Sequence, residues 1–335
     1  MSQLKKSSKN SKNNNKSSQS SNPNTSHNSK ENHLKGTIVK ALSGYYYVRA
    51  ENTASDSATI QCRGRGVFKN KGLTPLVGDL VMYSLTENGE GTVEELLPRS
   101  SELIRPPVAN IDLAILVFSV TEPALNLQLL DKFLVHIEHA GIPAVLCLSK
   151  QDLASEGLET EEAKAAAVAV NRIYRPLGYE VYGTSSVLGE GISPFQERLQ
   201  GHLAVFAGQS GVGKSSLLNA IVPGLQLETN AISNRLGRGK HTTRHVELIE
   251  IGGGLVADTP GFSQLDFQEL GIEDLGYCFI EMRELSPNCK FRGCTHVHEP
   301  GCAVLAAVAS GEIEKSRHEH YLLFLAEMKD KKRRY

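Results

Sequence analysis

A glycine-rich octapeptide in the second half of the chain has the residue types of a phosphate-binding loop. Residues 208–215 read Gly-Gln-Ser-Gly-Val-Gly-Lys-Ser, which fits the P-loop pattern of a glycine, four residues and then Gly-Lys-Ser. The backbone amides of such a loop hold phosphate oxygens at the N-terminus of a helix. Lys214 can reach the terminal phosphates and take part in catalysis, and the Ser215 hydroxyl can ligate magnesium. The predicted phosphate-binding residues are Ala207, Gly208, Gln209, Ser210, Gly211, Val212, Gly213, Lys214, Ser215 and Ser216.

An acidic motif follows further along the chain. Asp-Thr-Pro-Gly occupies residues 258–261, directly after the apolar run Gly-Leu-Val-Ala. An ordinary turn is the alternative interpretation. The P-loop upstream favours a nucleotide site, in which Asp258 holds magnesium through water and the Gly261 amide contacts the terminal phosphate.

A carboxylate at Asp152 predicts selection of guanine. Residues 149–152 read Ser-Lys-Gln-Asp and follow an apolar run. The carboxylate can accept from the N1–H and the exocyclic amine of guanine, a donor pair that adenine lacks. Lys150 can lay its aliphatic stem along the purine, and a second loop, Thr-Ser-Ser at 184–186, can support the base through backbone amides. The predicted base-contacting residues are Ser149, Lys150, Gln151, Asp152, Ser185 and Ser186.

The order of these motifs is unusual, because the guanine-specifying loops precede the phosphate loop. A usual small GTPase begins with the phosphate loop, so this chain resembles a GTPase of circularly permuted sequence. The motifs at 207–216, 237–244 and 258–262, with a cysteine cluster after them, resemble the bacterial ribosome small-subunit-dependent GTPase A family from about residue 34 to the end. The resemblance implies a GTP hydrolase that uses magnesium, binds the small ribosomal subunit and its rRNA, is stimulated by that subunit and acts in its late maturation.

Other functions remain open from the sequence. One is an RNA-binding assembly module that uses GTP as a conformational ligand, with incidental hydrolysis. Another is a P-loop ATPase or kinase, against which Asp152 argues. A large-subunit assembly GTPase shares the permuted order, but the β-barrel predicted for residues 34–103 and the cysteine cluster at residues 289–302 fit that class poorly.

Two residues depart from the usual GTPase pattern. Ser149 stands where the guanine loop usually opens with Asn, so a shorter hydroxyl replaces an amide and lowers the expected nucleotide affinity. Phe262 stands where many GTPases have a Gln that orients the attacking water. We expect His241 to position that water, with a mobile surface histidine as the alternative. One of the two threonines that follow, Thr242 and Thr243, would ligate magnesium, and we favour Thr243.

A cysteine cluster near the C-terminus has metal-ligand spacing. Three thiols and one imidazole can close a tetrahedral zinc site, which would stabilise a segment too small for its own core. His298 is a rival nitrogen ligand, and the family resemblance implies His296. The predicted ligands of one structural zinc ion are Cys289, Cys294, His296 and Cys302.

The elements that must position these residues can be predicted from the apolar pattern. Short β-type runs at residues 34–100 predict a small barrel, for which an OB-fold is one candidate. Beyond them, alternating strand and helix patterns predict a mostly parallel sheet, with every nucleotide motif at a strand's carboxyl end. The strand patterns lie at 36–40, 45–49, 58–62, 80–85, 91–97, 111–120, 144–148, 180–183, 202–207, 245–251 and 254–257, and the helical patterns at 126–140, 159–177, 215–222 and from 311 to the end.

The predicted fold is therefore α/β, with four regions. Residues 1–33 form a disordered polar and basic tail, residues 34–103 an OB-like β-barrel, residues 104–266 a circularly permuted P-loop GTPase domain, and residues 267–335 a zinc-binding α-helical domain. The tail either solubilises the chain or touches RNA phosphates. The barrel carries cations near tyrosines at 45–47, which form either an RNA-binding face or half-buried strand positions beside a solvated loop.

Composition indicates where in the cell the protein is expected more than what it does. The 335 residues are 40% hydrophobic and 22% charged, with a formal net charge of -1, so the overall charge neither favours nor excludes an RNA partner. No apolar run is long enough to cross a bilayer, and the lysines of the N-terminus precede no hydrophobic signal segment. We expect a cytoplasmic monomer that binds GTP and GDP and does not bind a membrane.

Overall fold

The computed structural model describes residues 33–51, 59–70, 72–104, 107–154, 159–222, 225, 246–258, 265–267 and 270–332. Several predicted features lie outside these ranges: the N-terminal tail up to residue 32, His241, Thr242, Thr243, Gly261 and Phe262. For Asp258 only the main chain is described. Among the described helices, none is long and apolar enough to span a membrane.

Five strands near the N-terminus form a closed barrel. They are β1 (Leu34–Leu42), β2 (Tyr45–Ala50), β3 (Ile60–Gly64), β4 (Leu80–Leu85) and β5 (Gly91–Leu96), with a short helix α1 (Gly66–Asn70) after β3. The pairing order is β1-β2-β3-β5-β4, and β4 pairs back onto β1. This five-stranded closure is the arrangement of an OB-fold. The predicted barrel is therefore confirmed, and the tyrosines at 45–47 are half-buried within it.

The barrel continues into a short hairpin that the sequence did not predict. Strands β6 (Glu102–Ile104) and β7 (Pro107–Ala109) pair antiparallel. The predicted domain boundary at residues 103 and 104 lies inside this hairpin. Asn110 follows it with φ +58°, and its side chain accepts from the Ser100 amide and donates to the Gly78 carbonyl.

A largely parallel sheet with helices forms the centre of the molecule. Its strands are β8 (Leu113–Ser119), β9 (Ala144–Ser149), β10 (Glu180–Gly183), β11 (Leu203–Ala207), β12 (Glu247–Ile251) and β13 (Gly254–Asp258). They lie in the order β10-β9-β8-β11-β13-β12, all parallel except β12. Every residue of β8 and β11 is buried, as expected of strands covered on both faces. The helices are α2 (Leu127–His139), α3 (Glu159–Tyr174), α4 (Ile192–Leu199) and α5 (Lys214–Ile221).

The barrel and the central sheet are joined edge to edge. Strand β12 pairs with β1 through the partners Glu247 and Lys40, and these two side chains also form an ion pair. The result is one continuous eleven-stranded sheet over the described residues. One hydrophobic cluster also runs from the barrel interior, where Val48 and Val81 are buried, to Leu116 of β8.

The C-terminal region is helical and has its own core. Its helices are α6 (Ile280–Leu285), α7 (Ala303–Ser310) and α8 (Lys315–Lys332), packed around Phe279 and Phe324. Helix α8 begins at Lys315, later than the predicted residue 311. The reason is that Gly311, with φ +80°, caps the C-terminus of α7. Helix α8 can therefore start only after this residue.

A buried ion network connects this helical region to α2. The Arg317 guanidinium, on α8, donates to Asp131 of α2 at 2.6 Å and to both carboxylate oxygens of Glu281 at 2.7 and 2.9 Å. Asp131 also accepts from the Tyr174 hydroxyl at 2.6 Å and contacts the His320 ring at 2.5 Å. Both Asp131 and Arg317 are buried, so each charge depends on the other for compensation.

Candidate nucleotide and metal sites

The carboxyl ends of the parallel strands meet at one edge of the central sheet. Apart from Gly261, which lies outside the described residues, the residues predicted to bind GTP lie in three segments there. We call residues 207–216 the phosphate loop, residues 149–152 the guanine loop and residues 184–186 the base-support loop. Strand β13 pairs in parallel with β11, with Ala257 beside Val205, so the main chain of Asp258 ends near the start of the phosphate loop.

Glycines fix the path of the phosphate loop. Gly208, Gly211 and Gly213 all have positive φ, at +146°, +82° and +91°. A Cβ at Gly208 would lie 2.1 Å from the Val117 carbonyl oxygen, so only glycine fits there. The irregular part of the phosphate loop ends at Gly213, which caps α5, and Lys214 is the first residue of that helix. The loop therefore stands at a helix N-terminus, where the dipole favours an anion.

Lys214 lies along the phosphate loop. Its ammonium donates to the carbonyls of Gly208 and Gln209 at 2.7 and 2.6 Å. Burial lowers the pKa of Lys214 to about 8. The neighbouring Ser215 is buried on the first turn of α5. The two residues thus sit where a phosphate bound at the helix N-terminus would meet them.

The guanine loop and the base-support loop are hydrogen-bonded to each other. The Ser185 hydroxyl donates to the Asp152 carboxylate at 2.6 Å and accepts from the Leu188 amide at 3.1 Å. The Gln151 backbone amide donates to the Thr184 carbonyl at 3.1 Å. Ser185 is buried, so its hydroxyl holds the carboxylate in a defined orientation. Ser186 is half-buried beside it.

Lys150 is held by a loop that the sequence analysis missed. Its ammonium donates to the Glu122 carbonyl at 2.5 Å, and its own backbone has φ +59°. A left-handed conformation is rare for a residue other than glycine and costs about 1–3 kcal/mol. The preceding loop contains a cis bond between Glu122 and Pro123. The Glu-Pro pair after an apolar strand was the available signal of a turn there.

A second cluster of functional side chains lies in the helical region. The donor atoms of Cys289, Cys294, His296 and Cys302 all lie within 4.8 Å of one another. The Cys289 and Cys302 sulfurs are 3.8 Å apart, and His296 Nδ1 lies 3.7 Å and 3.3 Å from them. Two thiolates on a tetrahedral zinc ion, with Zn–S bonds of about 2.3 Å, would be about 3.8 Å apart. This metal-binding cluster therefore fits a four-coordinate ion in both donor type and spacing.

Neighbouring groups orient the histidine of this metal cluster. The Ser286 hydroxyl donates to the Met282 carbonyl at 2.6 Å, so its oxygen is left to accept from His296 Nε2–H at 3.0 Å. That contact leaves a lone pair on Nδ1, the atom that faces the thiols. Burial lowers the pKa of His296, which favours the neutral ligand form. His298, the rival ligand, is exposed and stands outside the cluster.

Comparisons with known proteins agree with this architecture. A family model described as RsgA GTPase matches residues 96–268, and one described as RsgA N-terminal domain matches residues 35–93. The Bacillus velezensis protein named small ribosomal subunit biogenesis GTPase RsgA is 53% identical over 301 residues, which cover 90% of this chain and 99% of the relative. Its Bacillus subtilis namesake is 52% identical over the same shares.

Solved structures give the same picture. The crystal structure of YloQ, described as a circularly permuted GTPase, is 46% identical with a TM-score of 0.76, and the match covers 91% of this chain and 98% of that one. The structure of YjeQ from Thermotoga maritima is 37% identical, again with a TM-score of 0.76, over 88% and 98% of the two chains.

Proposed function

The chain belongs to the RsgA family of GTPases, and we propose that it hydrolyses GTP on the small ribosomal subunit late in that subunit's maturation. The observation that carries the proposal is the meeting of the phosphate, guanine and base-support loops at one sheet edge, where Ser185 of the base-support loop donates to Asp152 of the guanine loop. The small ribosomal subunit is proposed as the partner because relatives of this chain are named small ribosomal subunit biogenesis GTPase.

Guanine selection rests on the Asp152 carboxylate. Its oxygens accept from N1–H and the exocyclic amine, and the hydrogen bond from Ser185 orients it for that pair. Lys150 lays its stem along the purine, and its bond to the Glu122 carbonyl keeps the stem in place. The Ser185 backbone amide already donates to the Glu190 carbonyl at 3.0 Å, so the Ser186 amide is the one that supports the base from the opposite loop.

The triphosphate binds along the phosphate loop at the N-terminus of α5. Lys214 leaves the loop carbonyls and donates to the terminal phosphates, where it stabilises the charge of the transition state. Ser215, Thr243 and Asp258 would hold Mg²⁺, which would supply positive charge to neutralise the phosphates. The Gly261 amide contacts the terminal phosphate. Water attacks the terminal phosphorus, its bond to the bridging oxygen of GDP breaks, and the products are GDP and inorganic phosphate.

Water activation is the step for which the chain lacks the usual residue. Phe262 cannot orient a water through its ring. We assign that role to His241, which precedes the threonines and can accept a proton from water. A GTPase without a water-orienting Gln suits a protein that hydrolyses GTP only on its target, because the target can complete the site.

The metal cluster would hold one structural Zn²⁺ through Cys289, Cys294, His296 and Cys302. Its closed Cys₃His donor set leaves no position for a substrate, so the ion would stabilise the fold of residues 286–302. Lys290 and Arg292, which are exposed between two ligands, contact rRNA phosphates. On the barrel, Arg63 lies 5.0 Å from the centre of the Tyr45 ring and offers a second cationic and aromatic surface for RNA. The protein acts as a cytoplasmic monomer.

Sedimentation with ribosomal subunits tests the partner. The full chain should pellet with purified small subunits in the presence of a non-hydrolysable GTP analogue, less with GDP, and not with large subunits. Lys214→Ala should remove the difference between the two nucleotides. Equal pelleting with both kinds of subunit, whatever the nucleotide, would refute the proposal.

A further inference from the structure

One phenylalanine of the helical region is exposed beside the metal cluster. Phe291 is 45% exposed. The core of the same region buries Phe267, Phe279 and Phe324. A single exposed ring is ordinary on a protein surface, so the residues around it decide what it can contact. Those residues are Lys-Phe-Arg-Gly at 290–293, all exposed, which we call the tip loop.

The tip loop is fixed at both ends. It joins Cys289 to Cys294, whose thiols belong to the metal cluster. The Lys290 amide donates to the Gly301 carbonyl at 3.0 Å, and a Cβ at Gly301 would lie 3.1 Å from Lys290 Cβ, so the start of the loop packs directly on that segment. Gly293 then turns the chain back with φ +70°. A loop held in this way has little conformational entropy left to lose when it binds a partner.

The side chains of the tip loop combine an aromatic ring with cations. Lys290 Nζ lies 5.5 Å from the centre of the Phe291 ring, and Arg292 follows the ring directly in the chain. The four residues include no carboxylate. A phenyl face can stack on an unpaired base, and cations beside it can pair with the phosphates that flank this base. A duplex offers the cations its phosphates, but its bases are already stacked on one another and unstacking them costs free energy.

We propose that the tip loop binds single-stranded RNA, with Phe291 stacked on an unpaired base and Lys290 and Arg292 on the flanking phosphates. The inference rests on the proposed contact between the metal cluster and rRNA, and it adds the feature of the RNA that the loop recognises. The two cations alone would bind a duplex as well as a single strand, because phosphate contacts carry no sequence or base information. The ring supplies the preference for the single strand.

The test uses the fact that the chain contains no tryptophan. Phe291→Trp would place the only indole of the protein in the tip loop, where stacking on a base should quench its fluorescence. A short oligouridylate should quench it, and a blunt RNA duplex at the same phosphate concentration should not. Tyr277→Trp is the matched control, because Tyr277 is a 58% exposed aromatic residue of the same region outside the tip loop. Its fluorescence should not change with either RNA.

Affinities give a second, independent measurement. Phe291→Ala should bind the oligouridylate roughly tenfold more weakly than the wild type, because one stacked base is lost, and should bind the duplex equally well. Arg292→Ala should weaken the binding of both RNAs, and for the single strand should reduce the slope of log affinity against log salt by about 0.7. Tyr277→Ala should bind both RNAs as the wild type does.

Three results would each overturn the proposal. They are an unquenched Phe291→Trp in the presence of the oligouridylate, equal quenching by the duplex, and a Phe291→Ala variant that binds the single strand as the wild type does. These measurements need neither GTP nor ribosomal subunits, so their outcome is separate from that of the proposed function.

Discussion

At the scale of single residues, the charge on Lys214 links nucleotide binding to pH. Burial lowers the pKa of Lys214 to about 8, and a triphosphate beside the ammonium would raise it again. Above that pH the free protein must take up a proton when it binds GTP. The affinity should therefore be insensitive to this group below about pH 8 and fall by at most about tenfold per pH unit above it.

Titration of a fluorescent GTP analogue between about pH 7 and about pH 9 measures this dependence. Lys214→Arg is the control, because arginine keeps its charge over the range and shares any titration of the nucleotide. A wild-type affinity that changes with pH no more than that of Lys214→Arg would contradict the assignment.

His241 carries the second residue-scale prediction. If it positions the attacking water, His241→Ala should lower kcat in the presence of small subunits by roughly a hundredfold or more. Its affinity for GTP should be unchanged, since the base and phosphate contacts remain. Steady-state hydrolysis with saturating small subunits measures kcat, and an unchanged value would remove His241 from the mechanism.

The residue types of both sites could be predicted from the sequence, but their mutual contacts could not. The phosphate-loop motif and the cysteine motif could be recognised because each lies within a short segment of the chain. Lys214 follows the glycines directly, and Cys289 is close in sequence to Cys294. The hydrogen bond from the Ser149 hydroxyl to the Val212 carbonyl joins two loops far apart in the chain, and only the folded sheet brings them together. The resemblance to other GTPases indicated the position of Ser149 and not the direction of its hydroxyl.

At the scale of elements, long and regular apolar patterns predicted the structure best. The helix predicted at residues 126–140 is α2 with its two caps: Asn126 accepts from the Leu129 amide, and Ala140 ends it. The three-residue strands β6 and β7 and the eight-residue α4 were missed, because so few residues carry no clear period.

The metal cluster gives a prediction about its nitrogen ligand, because the sequence spacing allowed either His296 or His298. If the cluster binds one zinc ion as proposed, His296→Ala should lose that ion and lower the melting temperature, because the fourth ligand and its contact with Ser286 disappear. His298→Ala should keep the zinc, since this exposed ring stands outside the cluster. Elemental analysis of the purified variants measures the metal. Zinc loss from His298→Ala alone would reverse the assignment.

At the scale of the whole molecule, the buried network around Arg317 holds the helical region on the GTPase sheet. Arg317→Leu would leave two buried carboxylates, Asp131 and Glu281, without the guanidinium that pairs with both. We expect the free energy of unfolding to fall by about 3–5 kcal/mol, as measured by denaturant titration.

The control is an ion pair between the same two parts of the chain that lies at the surface. Arg172 of α3 pairs with Glu314, which precedes α8, and the arginine is exposed. Arg172→Ala should leave the unfolding transition nearly unchanged, since water screens such pairs. Equal effects of the two variants would show that burial does not govern the network's contribution.

The central claim is that the guanine loop and the phosphate loop form one GTPase site whose activity depends on the small ribosomal subunit. GTP hydrolysis by the full chain, measured with and without purified small subunits at matched salt, tests it most directly. We predict a strong stimulation by small subunits, which large subunits do not reproduce and which Lys214→Ala abolishes. The same slow rate with and without small subunits would contradict the account, and would instead favour a module that uses GTP as a conformational ligand.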